Sequence, residues 1–166
     1  MNRLVKTIAG FALAATGALT SLTPAEAHHS FAMYDTTKPT AVTGILTRTS
    51  PDAFHFQMFI AQLNMERTKV LRDKNGQPII WVVELRDTAA VAATGITESS
   101  FPPGTIVSVG FYPLRDGKPG GTRNELGVYR CPDKTPPAAG KMCDSVEGSK
   151  PYGPGKLPAT EAAVTQ

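Results

Sequence analysis

Short apolar segments separated by glycine and proline turns limit the folds that this chain can adopt. Five of these segments are rich in β-branched and aromatic residues or alternate in polarity at every second residue, as strands do. They lie at residues 40–48, 54–63, 79–86, 105–112 and 124–131. A short helical segment at residues 88–94 follows the third of them. Five strands with one helix after the third predict a small five-stranded OB-like barrel, with a small β-sandwich as the alternative.

The connections between these segments carry signals of their own. Gly44 inside the first strand predicts a bulge or a sharp bend, and Gly95 is placed to end the helix. The stretch at 114–121 lacks the spacing of a phosphate-binding loop and is predicted to be a mobile loop. From residue 132 onward the chain is rich in proline and shows no periodicity. We therefore expect residues 145–166 to form a disordered C-terminal tail.

The N-terminal region has the three parts of a secretory signal peptide. Arg3 and Lys6 supply positive charge, residues 8–22 are apolar, and a small-x-small cleavage pattern ends at Ala27. A transmembrane anchor is the alternative, but polar residues interrupt the apolar stretch, which is shorter than the ~20 residues that span a bilayer. We therefore expect residues 1–27 to be removed and the mature protein to be periplasmic or secreted, without stable membrane insertion.

Two cysteines connect the predicted domain at residues 28–131 to a proline- and glycine-rich segment at 132–166. In an exported protein an even pair of cysteines is typical of a disulfide. Cys131 and Cys143 are therefore predicted to staple the second segment to the last strand. Basic residues are scattered rather than clustered, so the chain lacks the charge pattern of a nucleic-acid-binding protein.

The histidines indicate a candidate metal site at the new N-terminus. Cleavage after Ala27 gives His28 a free α-amine, and an amine together with its own imidazole can chelate one copper or nickel ion. A further imidazole from His29 or His55 would complete such a site. The alternative is that the terminal histidines are solvated and mobile.

A second candidate site is a pocket around charged residues of the barrel. Glu84 lies on the predicted central strand, on the face opposite Trp81. A buried carboxylate needs a partner, and Arg86 is placed on the same face to supply one. Asp35 and Trp81 are further candidates for lining this pocket.

Several motifs in the mature region are similar to those of a known family. His-His-Ser-Phe-Ala-Met-Tyr-Asp at residues 28–35 is followed by a T-G-x-L strand at 43–46 and a W-x-x-E-L strand at 81–85. A P-G-x-x-V-x-V strand at 103–109 and a P-x-R-D-G loop at 113–117 complete the set. The chain resembles a family of small exported bacterial proteins of unknown function whose mature chains begin HHSFAxFD or HHSFAxYD.

This resemblance covers about residues 28–130 and implies an exported, barrel-like domain without an established activity. The chain departs from the family pattern at Ser50-Pro51-Asp52, where the family usually has Asn-Pro-His. If that histidine is a metal ligand in the family, Asp52 or His55 must replace it here. The segment at 64–74 is also longer than the short turn that the family pattern implies.

Taken together, these features favour a non-catalytic binding or accessory protein for a small ligand, a metal ion or a periplasmic protein, with copper at His28 as the sharpest hypothesis. No catalytic nucleophile has a recognisable context. The alternative is a small exported enzyme or enzyme subunit, with one pocket lined by Asp35, Asp52, His55 and Glu84. A third interpretation is an interaction module that uses a sheet edge or residues 132–166.

Overall fold

A closed five-stranded barrel forms the centre of the computed structural model, which describes residues 31–52 and 54–163. Its strands are β1 (Thr40–Pro51), β2 (Phe56–Gln62), β3 (Ile80–Glu84), β4 (Ile106–Pro113) and β5 (Gly120–Thr122). They follow the order β1-β2-β3-β5-β4, and β4 pairs with β1 to close the barrel. Only the β3–β5 pair among them is parallel. This architecture confirms the predicted OB-like barrel.

The short helix between β3 and β4 is also confirmed. Helix α1 (Thr88–Ala93) begins after Asp87, whose side chain accepts a hydrogen bond from the backbone N–H of Ala90 at 2.9 Å. It ends before Gly95, which has a φ of 85° and donates its N–H to the Ala92 carbonyl. A left-handed glycine at this position is a common helix stop. No helix in the described ranges is long and apolar enough to cross a bilayer.

Strand β1 pairs along its length with two neighbours. Its first half pairs with β4, and its second half pairs with β2. The register shift lies between Leu46 and Arg48 rather than at Gly44, where we predicted a bulge or bend. Gly44 meets a different requirement, because a Cβ there would collide with the Ala61 carbonyl and the Ile60 side chain. Glycine therefore permits the close approach of β1 and β2.

The fifth strand differs from its predicted position. Residues 120–122 form β5, although the first two of them were predicted to end a mobile loop, whereas the predicted strand at 124–131 is reduced to β6 (Val128–Arg130). Asn124 interrupts the chain between them with a φ of 50°. Periodicity could not reveal β5, because two of its three residues are glycines. A Cβ at Gly121 would overlap the Tyr112 carbonyl and the Phe111 ring.

The barrel interior is filled by large apolar side chains. Phe56, Met58, Ile60 and Phe111 are among those with no more than 1 % exposure. Trp81 packs against Phe111 with ring centroids 5.1 Å apart. The indole N–H of Trp81 donates to Gln62 Oε1 at 2.8 Å, which satisfies its only polar group inside the core.

The segment at 145–163, expected to be disordered from its composition, is held against the barrel. Strand β7 (Lys150–Tyr152) pairs with β6, and the Ala162 N–H donates to the Ala41 carbonyl. The buried guanidinium of Arg67 binds both carboxylate oxygens of Glu161, at 2.8 and 2.7 Å. Composition misses this order because it rests on a few specific polar contacts rather than on a periodic apolar face. Residues 164–166 lie outside the described ranges.

The predicted disulfide between Cys131 and Cys143 is confirmed. It joins the end of β6 to a short 3-10 helix (Cys143–Ser145). The backbone N–H of Cys143 also donates to Ser108 Oγ at 2.9 Å. Both contacts fix the start of the C-terminal segment against the outside of β4.

Glu161→Gln should destabilise the protein. The Arg67 side chain is 1 % exposed and the Glu161 side chain 14 %, so the substitution leaves a buried cation without its counter-ion. We expect a loss of about 3 kcal/mol in the free energy of unfolding, measured by urea denaturation. Asp133→Asn is the matched control. Asp133 also pairs with an arginine, Arg130, but its side chain is 82 % exposed, so the pair should contribute little to stability. Equal losses of stability in the two variants would contradict a stabilising role of the buried Arg67–Glu161 pair.

Reduction of the disulfide should lower stability by a similar amount. The bridge closes a loop with a sequence separation of 12, for which the chain-entropy estimate is about 3 kcal/mol. Urea unfolding with and without reductant measures the difference. A variant with both cysteines replaced by serine should be insensitive to reductant. Thiol labelling of the unfolded, unreduced wild type would show that the bridge does not form.

Candidate functional site

A cleft of about 420 Å³ opens at one end of the barrel. It lies between the N-terminal 3-10 turn (Phe31–Met33), the β1–β2 loop, the end of β3 and the residues that follow β5. Aromatic and charged side chains dominate its wall. The lining residues are Phe31, Tyr34, His55, Glu84, Leu85, Arg86, Thr122, Asn124 and Glu125. Four chain segments that are distant in sequence thus meet at one polar surface.

Three of these residues form a hydrogen-bonded group, the Tyr34–Glu84–His55 cluster. The Tyr34 hydroxyl donates to Glu84 Oε2 at 3.2 Å, and His55 Nε2 lies 3.0 Å from Glu84 Oε1. Both carboxylate oxygens are therefore engaged by protein donors. Because a carboxylate only accepts, the proton in the second contact lies on His55 Nε2. The cluster thus fixes the orientation of the His55 imidazole against the half-buried carboxylate of Glu84.

The β1–β2 loop positions His55 through Asp52. Asp52 Oδ1 accepts the backbone N–H of Phe54 at 2.8 Å and that of His55, while the Asp52 N–H donates to the His55 carbonyl at 3.1 Å. Thr88 Oγ1 donates to the Asp52 carbonyl at 2.6 Å and ties the loop to α1. The backbone donors of His55 and then Phe54 lower the pKa of the Asp52 carboxyl. Asp52 thus acts on the loop backbone and does not line the cleft.

Tyr34 enters the cluster from the N-terminal segment. An antiparallel β-bridge to Leu114 fixes the backbone of Tyr34, and Tyr34 is only 6 % exposed. Burial raises the pKa of Tyr34 to about 12, and the negative charge and hydrogen bond of Glu84 act in the same direction. At neutral pH the phenol is therefore a neutral donor to Glu84.

The structure brings together some of the predicted site residues and separates others. His55, Glu84 and Arg86 share the cleft. Trp81, predicted for the pocket, is instead a core residue, since it lies on the inward face of β3 and is 4 % exposed. The partners of Glu84 are Tyr34 and His55 rather than the expected Arg86.

Asp35 does not line the cleft either. Its Oδ1 accepts the Thr37 hydroxyl at 2.6 Å, and its Oδ2 lies 3.2 Å from Lys38 Nζ. These contacts, with Thr37 contributing most, lower the pKa of Asp35 to about 2. The enzymatic hypothesis required Asp35, Asp52, His55 and Glu84 around one cavity, and the structure places only His55 and Glu84 there.

Sequence reasoning missed Tyr34 and Phe31 as site residues. Both lie in the motif at residues 28–35, but no local pattern assigns them to Glu84, which is 50 residues from Tyr34 along the chain. Thr122 was missed because its strand β5 was not predicted, and Asn124 and Glu125 were missed because they were assigned to the predicted strand at 124–131.

No set of three or more histidine, cysteine, aspartate or glutamate side chains within residues 31–52 and 54–163 is grouped so that it could hold a metal ion. The predicted copper ligands His28 and His29 lie outside the described residues. Of the predicted set, the structure therefore describes His55 and Asp52 only. The two lie on one loop, and Asp52 directs its carboxylate to backbone donors.

Comparison with known proteins gives a family but not an activity. Residues 17–124 match a family described as a family of unknown function (DUF6152). The chain belongs to the DUF6152 family. The match includes the whole barrel and every cleft residue except Glu125. No curated protein and no solved structure matches the chain significantly.

Ionisation of Tyr34 should make stability decline at high pH. Its pKa is raised from 10.0 to about 12 in the folded state, so between these values the unfolded chain releases a proton that the folded chain retains. Stability is then unaffected below pH 10 and falls as the pH rises towards 12. Tyr34→Phe should show a shallower decline in urea unfolding over this range. If the stability of the two proteins depended on pH in the same way, burial and Glu84 would not raise the pKa of Tyr34.

Proposed function

We propose that this protein is an exported, non-catalytic metal-binding protein that holds Cu(II) at the mouth of the cleft. The proposed ligands are the α-amine and imidazole of His28 after signal cleavage, with imidazoles from His29 and His55. One observation carries the proposal. His55 is held by a carboxylate in the same cleft that is lined by Phe31, only three residues after His28.

The carboxylate–histidine pair is the arrangement that orients metal-binding imidazoles in proteins. Donation from one ring nitrogen to a carboxylate fixes the ring and makes the other nitrogen more basic. Glu84 stands in this relation to His55 through the 3.0 Å contact. Tyr34 engages the other oxygen of Glu84 at 3.2 Å and limits its rotation. The cluster thus supports one ligand, and its negative carboxylate suits a nearby cation.

Chain connectivity supports the participation of the N-terminus. Consecutive Cα atoms are about 3.8 Å apart, so the Cα of His28 lies within roughly 11 Å of the Cα of Phe31. Because Phe31 lines the cleft beside His55, the amine and imidazoles of residues 28 and 29 are within reach of the cleft mouth. Imidazole and amine nitrogens are ligands that copper prefers.

Export is a necessary part of this proposal, because only signal cleavage creates the free amine. The basic n-region, the apolar stretch and the cleavage pattern ending at Ala27 support it. The Cys131–Cys143 disulfide fits an oxidising compartment. The sequence made Asp52 a candidate ligand. We assign it instead to positioning the β1–β2 loop, because its carboxylate accepts the backbone N–H groups of Phe54 and His55.

A small exported enzyme is the second candidate, because an imidazole held by a carboxylate is also a general base. His55 and Glu84 provide this pair. The cleft would then bind a substrate beside His55, while Tyr34 donates to Glu84 and holds its carboxylate in place. The two candidates differ in whether the processed N-terminus is needed.

Copper titration of mature protein that begins at His28 tests the first candidate. We expect one Cu(II) to bind, with nitrogen hyperfine structure in the EPR spectrum. His55→Ala should weaken binding by removing a ligand. Glu84→Gln should weaken it by about 10- to 100-fold, as is typical when an outer-shell partner of a ligating histidine is lost.

The controls separate the terminal chelate from other copper binding. Acetylation of the α-amine of His28 removes the nitrogen that would chelate copper together with its own imidazole, and it should reduce the affinity sharply. Asp116→Asn removes an exposed carboxylate on another loop and should change nothing. Unchanged affinity in the protein acetylated at the α-amine would refute the chelate at His28. Unchanged affinity in His55→Ala would place the metal away from the cleft.

A further inference from the structure

A second, smaller cavity adjoins the cleft and contains two arginines. It has a volume of about 110 Å³ and lies between α1, the residues after β5 and the chain beyond β7. Arg86, Asn124 and Glu125 form a wall common to this side cavity and the cleft. Arg123 lines the side cavity but not the cleft.

Arg123 is a buried cation without a carboxylate partner. The residue is 4 % exposed, and no carboxylate of the described chain lies within ion-pair distance of its guanidinium. Its Nε donates to the Leu126 carbonyl at 2.7 Å and its Nη2 to the Tyr152 carbonyl at 3.1 Å. Buried charges in proteins are usually paired with an opposite charge. The two neutral carbonyls hold Arg123 in place but carry no charge to balance it.

Arg86 adds a second positive charge at the same cavity. Burial lowers the pKa of the Arg123 guanidinium, the charge of Arg86 lowers it further, and Glu125 acts in the opposite direction. The two cations therefore repel each other across a small space. Glu125 is exposed and lies at the shared wall, so it offsets this repulsion only in part.

The position of Arg123 is fixed before any ligand arrives. Besides its two carbonyl acceptors, Gly153 lies against the guanidinium, where a Cβ would overlap Nη2. An arginine that is locked in this way loses little conformational entropy when it binds an anion. The cavity therefore has the properties of a preformed site rather than of a surface pair of charges.

We propose that the side cavity binds a compact oxyanion, a carboxylate or phosphate group, between Arg86 and Arg123. The guanidinium fork matches the oxygens of both groups. About 110 Å³ is well below the roughly 300–1,000 Å³ of sites for whole drug-sized ligands. The bound group is therefore a small ion or the anionic end of a ligand whose remainder lies in the adjoining cleft. This proposal does not depend on copper.

Titration of copper-free mature protein with inorganic phosphate tests the site, with NMR shifts of backbone amides as the readout. Arg86→Gln is the informative variant, because Arg86 is exposed and its loss should spare the fold. We expect its phosphate affinity to fall about tenfold or more. Glu125→Gln should raise the affinity, since it removes a negative charge from the same wall. Lys74→Gln, an exposed charge-matched control, should leave it unchanged.

Opposite effects of Arg86→Gln and Glu125→Gln, with shifts at Thr94 and Asn124, would support the site. Equal weakening in Arg86→Gln and Lys74→Gln would overturn it, because binding would then follow net charge alone. Absence of saturable phosphate and acetate binding would also overturn it. Parallel titrations with acetate and sulfate identify the ligand class, since a site for carboxylates takes acetate and a site for tetrahedral anions takes sulfate.

Discussion

Pairing of β1 with two strands at once is the constraint on which the rest of the structure depends. β1 pairs with β4 over Thr40–Ile45 and with β2 over Gly44–Pro51, so the two ladders overlap at Gly44 and Ile45. The overlap requires a residue without a side chain, because a Cβ at Gly44 would collide with β2. Closure then brings the end of β3, the β1–β2 loop and the N-terminal segment to one end of the barrel. The cleft is a consequence of that closure.

Two buried arginines show how differently this fold treats the same group. Arg67 is held by both oxygens of Glu161 and by the Lys141 carbonyl. Its charge is balanced within the chain, so it acts as a clamp for the C-terminal segment. Arg123 is equally buried, at 4 % exposure, but within the described part of the chain its guanidinium donates to two backbone carbonyls and to no carboxylate. Because residues 31–52 and 54–163 supply a carboxylate to Arg67 and none within ion-pair distance of Arg123, we infer an external anion as the counter-ion of Arg123.

The sequence was a good guide wherever structure follows from local pattern. β-branched and alternating segments located β1 to β4, and Gly95 marked the end of α1, because these elements depend on neighbours within a few residues. The disulfide followed from the presence of two cysteines in a chain that the sequence predicts to be exported. The strand β5 was missed, because its two glycines carry no hydrophobic signal. The order of residues 145–163 was missed for a related reason, since contacts such as Arg67–Glu161 join residues 94 apart.

The candidate site was predicted only in part, because its residues meet through topology. Glu84 and His55 were chosen as ionisable residues next to apolar strands, but their contact arises from the β2–β3 pairing. Tyr34 and Arg123 had no local signal of function. The family match ends at Asn124, yet Arg123 donates to the carbonyl of Tyr152 in β7. The C-terminal segment therefore does more than cover the barrel: it helps to seat the buried arginine beside the cleft, which links the disulfide-stapled extension to the proposed anion site.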